Sequence, residues 1–230
     1  MPRSTVIVFD FDGVICDSEP LHDSALAHAV RGAGWHYDPG EGDTHRFVGL
    51  GDRAAFQILA REAGVDLTPE RLDELIDRKA ERFSELAATN PPEPFEGVLA
   101  LASALAREVP VGLCTASRLI EVGPILQRFG LMQILGTVVT REDVRETKPD
   151  PEPYALAVER LGGDPSMSLA IEDSPTGVAS ALAAGMRVIG IGSSRTREDL
   201  AQASAFVERI GMLDPARVLE LARGVAIDPV

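Results

Sequence analysis

Short apolar runs alternate with helical patterns along most of the chain, and this alternation limits the fold more than any other feature. Runs rich in β-branched and aromatic residues predict strands at 6–9, 111–114, 137–139, 168–171, 187–191 and 205–207. Apolar residues at helical spacing predict helices at 98–107, 119–129, 153–161, 176–184 and 215–223. Strands that alternate with helices are typical of a parallel sheet with crossover helices, so we predict an α/β core.

A block of helices interrupts this pattern after the first strand. Helical spacing, with a terminal glycine, a capping threonine or a first-turn proline, predicts helices at 19–34, 52–64 and 68–88. No strand is expected between 17 and 90. The segment Asn90-Pro91-Pro92-Glu93-Pro94 predicts a stiff linker or hinge. The predicted domains are therefore a core of residues 1–17 and 94–230 and an inserted α-helical domain of residues 18–93.

Composition excludes several classes of protein. The 230 residues carry a formal net charge of −14 and no Lys/Arg-rich run, whereas binding to nucleic acid needs a basic face. The N-terminal apolar run is too short for a signal peptide or a membrane span, and no later run is long enough to cross a bilayer. We expect a cytoplasmic monomer or homodimer in which Cys16 and Cys114 are reduced and buried.

Two aspartates stand where the first apolar run ends. Asp10 and Asp12 follow Val6-Ile7-Val8-Phe9, and alternation along a strand makes residues two apart point the same way. Two carboxylates this close need a cation, and Mg²⁺ prefers oxygen ligands. Gly13 supplies the freedom to turn away from the strand. The alternative is that both aspartates are ordinary loop or cap residues.

Three further segments that follow predicted strands carry polar residues of matching chemistry. They are Thr115 with Ser117, Lys148 before a proline, and Glu172 with Asp173. Each has an ordinary alternative as a helix cap, a solvated loop lysine or a turn. In open parallel sheets, however, ligands bind outside the carboxyl ends of the strands. Together these residues predict phosphoryl transfer, with carboxylates to hold a metal and attack, and a hydroxyl and an ammonium to bind phosphate oxygens.

The ordered set of motifs resembles that of the haloacid dehalogenase superfamily, subfamily IA, whose members carry a helical cap after the first strand. The matching segments are Asp10-Phe11-Asp12-Gly13-Val14 with Asp17-Ser18-Glu19, Thr115, Lys148-Pro149-Asp150-Pro151-Glu152 and Glu172-Asp173-Ser174-Pro175-Thr176-Gly177. The resemblance implies a Rossmann-like core closed by a cap. It also implies a Mg²⁺-dependent phosphatase for a small phosphorylated metabolite, such as a sugar phosphate or a phosphoglycolate-like compound.

The same resemblance implies a role for each core residue. Asp10 would attack phosphorus and become an aspartyl phosphate, while Asp12 would act as general acid and base. Thr115 and Lys148 would hold the transferred phosphoryl group. The implied Mg²⁺ ligands are Asp10, the main-chain carbonyl of Asp12, Glu172 and Asp173.

A mutase resembling β-phosphoglucomutase is the alternative. His22 follows the aspartates as a histidine does in that mutase, and Ala116 likewise separates two hydroxyl residues. The mutase grips a second phosphate with a Gly-x-x-Arg segment, but in Val48-Gly49-Leu50-Gly51-Asp52-Arg53 the arginine comes one place later. Phosphatase is therefore the preferred prediction. A non-catalytic phosphate-binding module is less favoured, because no nucleophile or metal ligand is missing.

Specificity is expected to come from the inserted helices. The candidate contacts there include Arg46, Arg53 and Lys79, although a solvated helix face is the preferred prediction for Lys79. His22 also has an alternative as a surface or packing histidine. The residues predicted to bind substrate are Thr115, Ala116, Ser117, Lys148, His22, Gly49 and Arg53.

Overall fold

The computed structural model describes residues 4–35, 37, 46–47 and 49–225. Within these residues, six parallel strands form one sheet in the order β3-β2-β1-β4-β5-β6. The strands are β1 (Ile7–Phe9), β2 (Val111–Cys114), β3 (Thr137–Val139), β4 (Leu169–Glu172), β5 (Arg187–Ile191) and β6 (Ala205–Val207). This confirms the predicted α/β fold, a Rossmann-like parallel sheet joined by helices.

Eight α-helices accompany the sheet in the described part of the chain. They are α1 (Glu19–Gly32), α2 (Asp52–Glu62), α3 (Pro69–Thr89), α4 (Val98–Ala106), α5 (Leu119–Arg128), α6 (Glu152–Arg160), α7 (Pro175–Ala183) and α8 (Pro215–Ala222). Short 3₁₀ helices lie at Leu131–Gln133, Arg141–Asp143, Pro165–Met167 and Ile210–Met212. All of the predicted α-helices are present, and their ends differ from the predictions by no more than two residues.

The sheet is buried on both faces. Alternation along the first strand sends Ile7 and Phe9 into an apolar cluster with α4, α5 and α8. It sends Val6 and Val8 into a second cluster with α6 and α7. A parallel sheet covered by helices on both faces explains why the strand sequences are continuously apolar rather than alternating.

Helices α1, α2 and α3, called the cap helices from here on, pack mainly on one another. Leu26, Phe56 and Leu75 belong to an apolar cluster of their own. Thr68 accepts a hydrogen bond from the Arg71 N–H (3.3 Å) and so caps α3, with Pro69 in the first turn. No strand occurs among the described residues between 17 and 90, as predicted.

Two chain segments connect the cap helices to the sheet, and they run side by side. Cys16 forms an antiparallel bridge with Pro94, and the Phe95 N–H donates to the Ile15 carbonyl (2.9 Å). The predicted proline-rich linker is therefore paired with the segment that leaves the first loop. Both connections between the cap helices and the sheet therefore pass through the same place.

The two cysteines are free and buried, as predicted. Burial raises the pKa of both thiols, that of Cys114 to about 12. In the part of the chain that the structure describes, no helix combines the length and apolar character needed to span a bilayer.

Candidate active site

The predicted site residues gather at one edge of the sheet, where the order of the strands reverses. From β1 the chain proceeds to β2 and β3 on one side and then returns to β4 on the other. Asp10 and Asp12 follow β1, Thr115 follows β2, and Glu172 ends β4. A reversal of this kind leaves a crevice outside the carboxyl ends of the strands, where ligands bind in open α/β sheets.

Lys148 is buried at the centre of this edge. Its Nζ lies 2.7 Å from Asp10 Oδ1 and 2.7 Å from Glu172 Oε1, and it donates to the Cys114 carbonyl (3.1 Å). Burial acts to lower the pKa of Lys148, but Asp10 and Glu172 outweigh it and raise that pKa well above its ordinary value. The alternative of a solvated loop lysine is therefore wrong.

Three buried carboxylates lie together here, and Lys148 pairs with two of them, Asp10 and Glu172. Asp10, Glu172 and Asp173 each place an oxygen within 4.8 Å of the others. Burial and the neighbouring carboxylates raise the pKa of Asp10 and of Asp173 well above the ordinary value. One ammonium does not neutralise three carboxylates, so this donor set fits an additional hard divalent cation.

Glu172 is the most firmly held of the three carboxylates. Its Oε1 accepts from Lys148 and from the Tyr154 hydroxyl (2.8 Å). Its Oε2 accepts from the Asp173 N–H (3.0 Å) and from the Ser174 N–H and hydroxyl (both 3.1 Å). These protein donors occupy both oxygens of Glu172, so Asp10 and Asp173 have more capacity to bind a metal.

Tyr154 was missed by the sequence analysis. It lies on α6 among apolar residues and is fully buried, so its position in the sequence indicates a core residue. Its hydroxyl nevertheless orients Glu172. The sequence carried no separate signal for this second role.

Asp12 is held in its ionised form by a different set of donors. Its Oδ1 lies 3.0 Å from His22 Nε2 and accepts from the Ser18 hydroxyl, and its Oδ2 accepts from the Ser117 hydroxyl (2.8 Å). Burial acts to raise the pKa of Asp12, but His22 and the two hydroxyls outweigh it and lower that pKa well below its ordinary value. Asp12 is thus an ionised carboxylate with donors at both of its oxygens.

The loop after β2 does not cap the helix that follows it. The Thr115 hydroxyl oxygen accepts from the Ser117 N–H (3.0 Å), and the N-cap position of α5 is Arg118. The alternative that Thr115 or Ser117 caps this helix is therefore wrong. Ala116 and Ser117 line a cavity whose lining also includes Asp10, Asp12 and Lys148. Thr115 is buried and does not line this cavity.

Two glycines allow the loops of the site to approach one another. Gly13 has a φ of +74°, and a Cβ there would lie 1.8 Å from Asp173 Oδ2. Gly49 has a φ of +79°, and its carbonyl accepts from the Thr176 hydroxyl (2.7 Å). The first glycine brings the loop after β1 against Asp173, and the second joins the segment before α2 to the first turn of α7.

The arginines of the inserted segment lie away from the cavity. Arg53 pairs with Asp73 on the surface of the cap helices (2.7 Å) and has a side chain 49% exposed. Arg46 pairs with Glu62. Neither arginine lines the cavity, whereas Gly49 does. Val48, the first residue of the segment compared with the mutase, lies outside the described residues.

Lys79 is buried, so the prediction of a solvated position is wrong. Lys79 is only 2% exposed. Its Nζ lies 2.9 Å from Asp52 Oδ1, 2.8 Å from Glu121 Oε1 and 2.7 Å from His22 Nδ1. Burial acts to lower the pKa of Lys79, but Asp52 and Glu121 raise it above the ordinary value. Lys79 lines the cavity as a cation that its carboxylate partners already neutralise.

His22 is also drawn into the site. It lines the cavity, its Nε2 contacts Asp12, and its ring packs on Phe83 with the ring centroids 4.4 Å apart. The predicted packing role therefore holds for one face of the ring, which contacts Phe83. The two ring nitrogens connect Asp12 to Lys79.

Comparison with known proteins agrees with this geometry. Residues 7–191 match the family of haloacid dehalogenase-like hydrolases. The chain is 30% identical to a phosphorylated carbohydrates phosphatase of Thermotoga maritima over 225 residues, which cover 95% of this chain and 98% of the relative. It is 26% identical to a β-phosphoglucomutase of Bacillus subtilis, with 82% of this chain and 84% of the mutase covered.

A solved structure shows the same fold. The CbbY protein of Rhodobacter sphaeroides, crystallised with phosphate, superimposes with a TM-score of 0.84 at 25% sequence identity, covering 94% of this chain and 99% of that one. The chain therefore belongs to the haloacid dehalogenase-like hydrolase family. A further relative, a phosphoglycolate phosphatase of Rhodospirillum rubrum, is 31% identical over 215 residues, which cover 90% of this chain and 86% of that one.

Proposed function

We propose that the protein is a Mg²⁺-dependent phosphatase that hydrolyses a small phosphorylated metabolite, of the sugar phosphate or phosphoglycolate type, through an aspartyl phosphate. One observation carries the proposal: Asp10, Asp12, Lys148 and Asp173 all line the same cavity. The Thermotoga maritima relative, named a phosphorylated carbohydrates phosphatase, supports the choice of substrate class. A cytoplasmic location and a monomeric or dimeric state stay predictions from the sequence.

Asp10 is the proposed nucleophile. Its carboxylate would attack phosphorus, and the P–O bond to the leaving alkoxide would break as the new P–O bond to Asp10 forms. Lys148, 2.7 Å from Asp10 Oδ1, offsets the charge of that carboxylate and would hold the phosphoryl oxygens together with the loop of Thr115, Ala116 and Ser117.

Asp12 is the proposed proton-transfer group. It would enter the first step protonated and give that proton to the leaving oxygen, and the resulting carboxylate would take a proton from the water that hydrolyses the aspartyl phosphate. Its ionised resting state suits the second step, and the Ser117 hydroxyl and His22 hold the carboxylate in position for both. Asp12→Asn should therefore remove turnover even though Asp10 is intact.

The acidic cluster would hold the metal. The proposed ligands are Asp10, Asp173 and the main-chain carbonyl of Asp12, with Glu172 as a ligand or as the anchor of Lys148. A bound Mg²⁺ would neutralise these carboxylates and the charge of the phosphoryl group. Burial and then the neighbouring carboxylates raise the pKa of Asp10 and of Asp173, and a bound cation would offset both effects.

The charges around the cavity support a phosphatase rather than a mutase. A mutase must hold a second phosphate, which requires an additional cation in the cap. Arg53 is paired with Asp73 outside the cavity, and Lys79 is neutralised by Asp52 and Glu121. Among the described residues that line the cavity, the third basic side chain besides Lys79 and Lys148 is His22, which is already bound to Asp12.

The cap helices are proposed to open for the substrate. The cavity has a volume of about 70 Å³, whereas sites that enclose a small organic ligand measure about 300–1,000 Å³. Residues 18–93 would therefore act as a lid on the core, with the paired segments at Cys16 and Pro94 as its hinge.

Hydrolysis of 4-nitrophenyl phosphate tests the proposal. We expect Mg²⁺-dependent release of 4-nitrophenolate by the wild type and a loss of about 10⁴-fold or more in Asp10→Asn, because the attacking oxygen is removed. Circular dichroism would check that the variant folds. Equal activity of the two proteins would contradict the catalytic assignment.

A second experiment separates phosphatase from mutase. β-Glucose 1-phosphate would be supplied with a bisphosphate activator, and the products would be identified by NMR. We expect glucose and inorganic phosphate, or no reaction. Accumulation of glucose 6-phosphate without release of phosphate would favour the mutase.

A further inference from the structure

Two ion pairs connect the cap helix α3 to the start of α5 in the core, and they differ sharply in burial. In the first, Lys79 (2% exposed side chain) contacts Glu121 (0%) at 2.8 Å. In the second, Asp77 (64%) contacts Arg118 (28%) at 2.6 Å. An exposed pair contributes little to stability, whereas burial of two charges is costly. Attachment of the cap helices to the core therefore does not by itself explain why the Lys79–Glu121 pair is buried.

The buried pair lies at the end of a chain of polar contacts that begins at Asp12. Asp12 Oδ1 contacts His22 Nε2 (3.0 Å), and His22 Nδ1 contacts Lys79 Nζ (2.7 Å). Lys79 Nζ then contacts Glu121 Oε1 (2.8 Å). Asp12 and Glu121 belong to the core, while His22 and Lys79 belong to the cap helices. The chain of contacts thus crosses between cap and core twice.

Lys79 determines which nitrogen of His22 carries the hydrogen. An ammonium is only a donor, so His22 Nδ1 must accept from Lys79 and Nε2–H must donate to Asp12. Burial and the Lys79 ammonium act to lower the pKa of His22, and Asp12 and Glu121 outweigh them and raise it. While Lys79 is an ammonium 2.7 Å from Nδ1, that nitrogen can only accept. The three donors of Lys79 match three acceptors, which are Asp52, Glu121 and His22.

Glu121 is the member of this network that the core supplies. Its Oε2 accepts from the Arg118 N–H at the start of α5 (2.8 Å), which fixes the carboxylate, while its Oε1 faces Lys79. Lys79 has a long and flexible side chain, so its position depends on these partners. Without Glu121, its ammonium has only Asp52 as a carboxylate partner.

We propose that Glu121 is a positioning residue for proton transfer: through Lys79 it places and orients His22 against Asp12 when the cap helices lie on the core. This rests on the proposed phosphatase function and adds a residue to it. The contact with Glu121 exists only while cap and core are together, so the donor to Asp12 is set in place only in the closed state. Proton transfer is thereby coupled to closure.

A pair of aryl phosphates tests this role. Phenyl phosphate needs a proton on its leaving oxygen far more than 4-nitrophenyl phosphate does, because the nitrophenolate is the more stable anion. The value of kcat/KM reports the steps up to the first release of product. A misplaced Asp12 should therefore slow phenyl phosphate selectively, whereas a general loss of structure should slow both substrates alike.

In Glu121→Gln, which keeps the shape and removes the charge, we expect kcat/KM to fall about 10-fold or more further for phenyl phosphate than for 4-nitrophenyl phosphate. Asp77→Asn is the matched control, because it breaks the other ion pair between the same two helices without contacting His22. The control should change both values by less than about 2-fold. Melting temperatures would confirm that both variants are folded.

A second variant covers the case in which Glu121→Gln does not fold. Lys79→Met combined with Glu121→Met removes both buried charges together and should show the same selective loss. Equal losses for the two substrates, or a variant as active as the Asp77→Asn control, would overturn the positioning role alone. No hydrolysis of either substrate by the wild type would overturn the proposed phosphatase as well.

Discussion

Two buried lysines occupy equivalent electrostatic positions in different parts of the molecule. Lys148, at the carboxyl edge of the sheet, lies 2.7 Å from each of two carboxylates, those of Asp10 and Glu172. Lys79, between the cap helices and the core, lies 2.9 Å and 2.8 Å from those of Asp52 and Glu121. Both residues are at most 7% exposed, and neighbouring carboxylates raise both pKa values.

The difference between them lies in what surrounds the ion pairs. Lys148 stands beside a third buried carboxylate, Asp173, so negative charge remains in excess and a further cation fits. Around Lys79 the charges are more nearly balanced, and its third donor is directed to the neutral nitrogen of His22. The first lysine is therefore suited to chemistry on a charged group, and the second to holding other groups in position.

Removal of divalent metal should have the largest effect on activity, and it should affect the acidic cluster beside Lys148 but not the contacts of Lys79. Chelation with EDTA should lower phosphatase activity by at least about 10³-fold, and Mg²⁺ should restore it. Mg²⁺ at 100 times its Kd should also raise the free energy of unfolding by about 2.7 kcal/mol, as measured by urea denaturation. Lys79→Met should retain this stabilisation. Full activity in EDTA would refute the metal assignment.

Lys148→Met should have the next largest effect. It leaves Asp10 and Glu172 as buried carboxylates without a counter-ion, so unfolding in EDTA should cost about 3–5 kcal/mol less than in the wild type. Activity should fall by about 10²–10³-fold. Since Mg²⁺ partly replaces the missing charge, the stability deficit should shrink when the metal is added. If the loss of stability in Lys148→Met were the same with and without Mg²⁺, the two lysines would not differ in their relation to the metal.

Lys79→Met should destabilise the protein by about 3 kcal/mol whether or not Mg²⁺ is present, because Glu121 loses its counter-ion and is not a member of the acidic cluster. Adding Glu121→Met should recover most of this loss, since both buried charges are then gone. Urea denaturation of the single and double variants in both metal states measures these effects. No recovery in the double variant would mean that packing, rather than charge, accounts for the loss.

Arg53→Ala should have the smallest effect. The Arg53–Asp73 pair is exposed, so the free energy of unfolding should change by no more than about 0.5 kcal/mol. The kcat/KM for 4-nitrophenyl phosphate should stay within about 2-fold of the wild-type value. Asp73→Ala should show the same small changes in stability and in kcat/KM. An increase in KM for a sugar bisphosphate in Arg53→Ala only would show that this arginine reaches the substrate, as the mutase alternative requires.

The sheet and its site were predictable because each depends on short stretches of sequence. A buried parallel strand needs a continuous apolar run, and the residue that follows it is bound to lie at the carboxyl edge of the sheet. Asp10, Thr115 and Asp173 could therefore be assigned to one place although they are far apart in the chain. The strands at 111–114 and 187–191 were predicted with the bounds that the structure shows.

The positions of Lys79 and Glu121 could not be predicted in this way. A charged residue on an amphipathic helix is most often solvated, and only the packing of α3 on α5 removes Lys79 from water. Tyr154 likewise has an aromatic ring that belongs to the core, and its hydroxyl acquires a role only because Glu172 lies opposite. In each case the partner comes from another element.

The sequence by itself thus determined the α/β core and the carboxyl edge of the sheet at which Asp10 and Asp12 lie. These follow from local patterns, since the period of the apolar residues and the turn after each strand are set by neighbouring residues. Only the tertiary structure decided that Lys79 joins His22 to Glu121 and that Arg53 lies away from the cavity. Burial and charge pairing between distant elements arise when cap and core pack together, and no single segment encodes them.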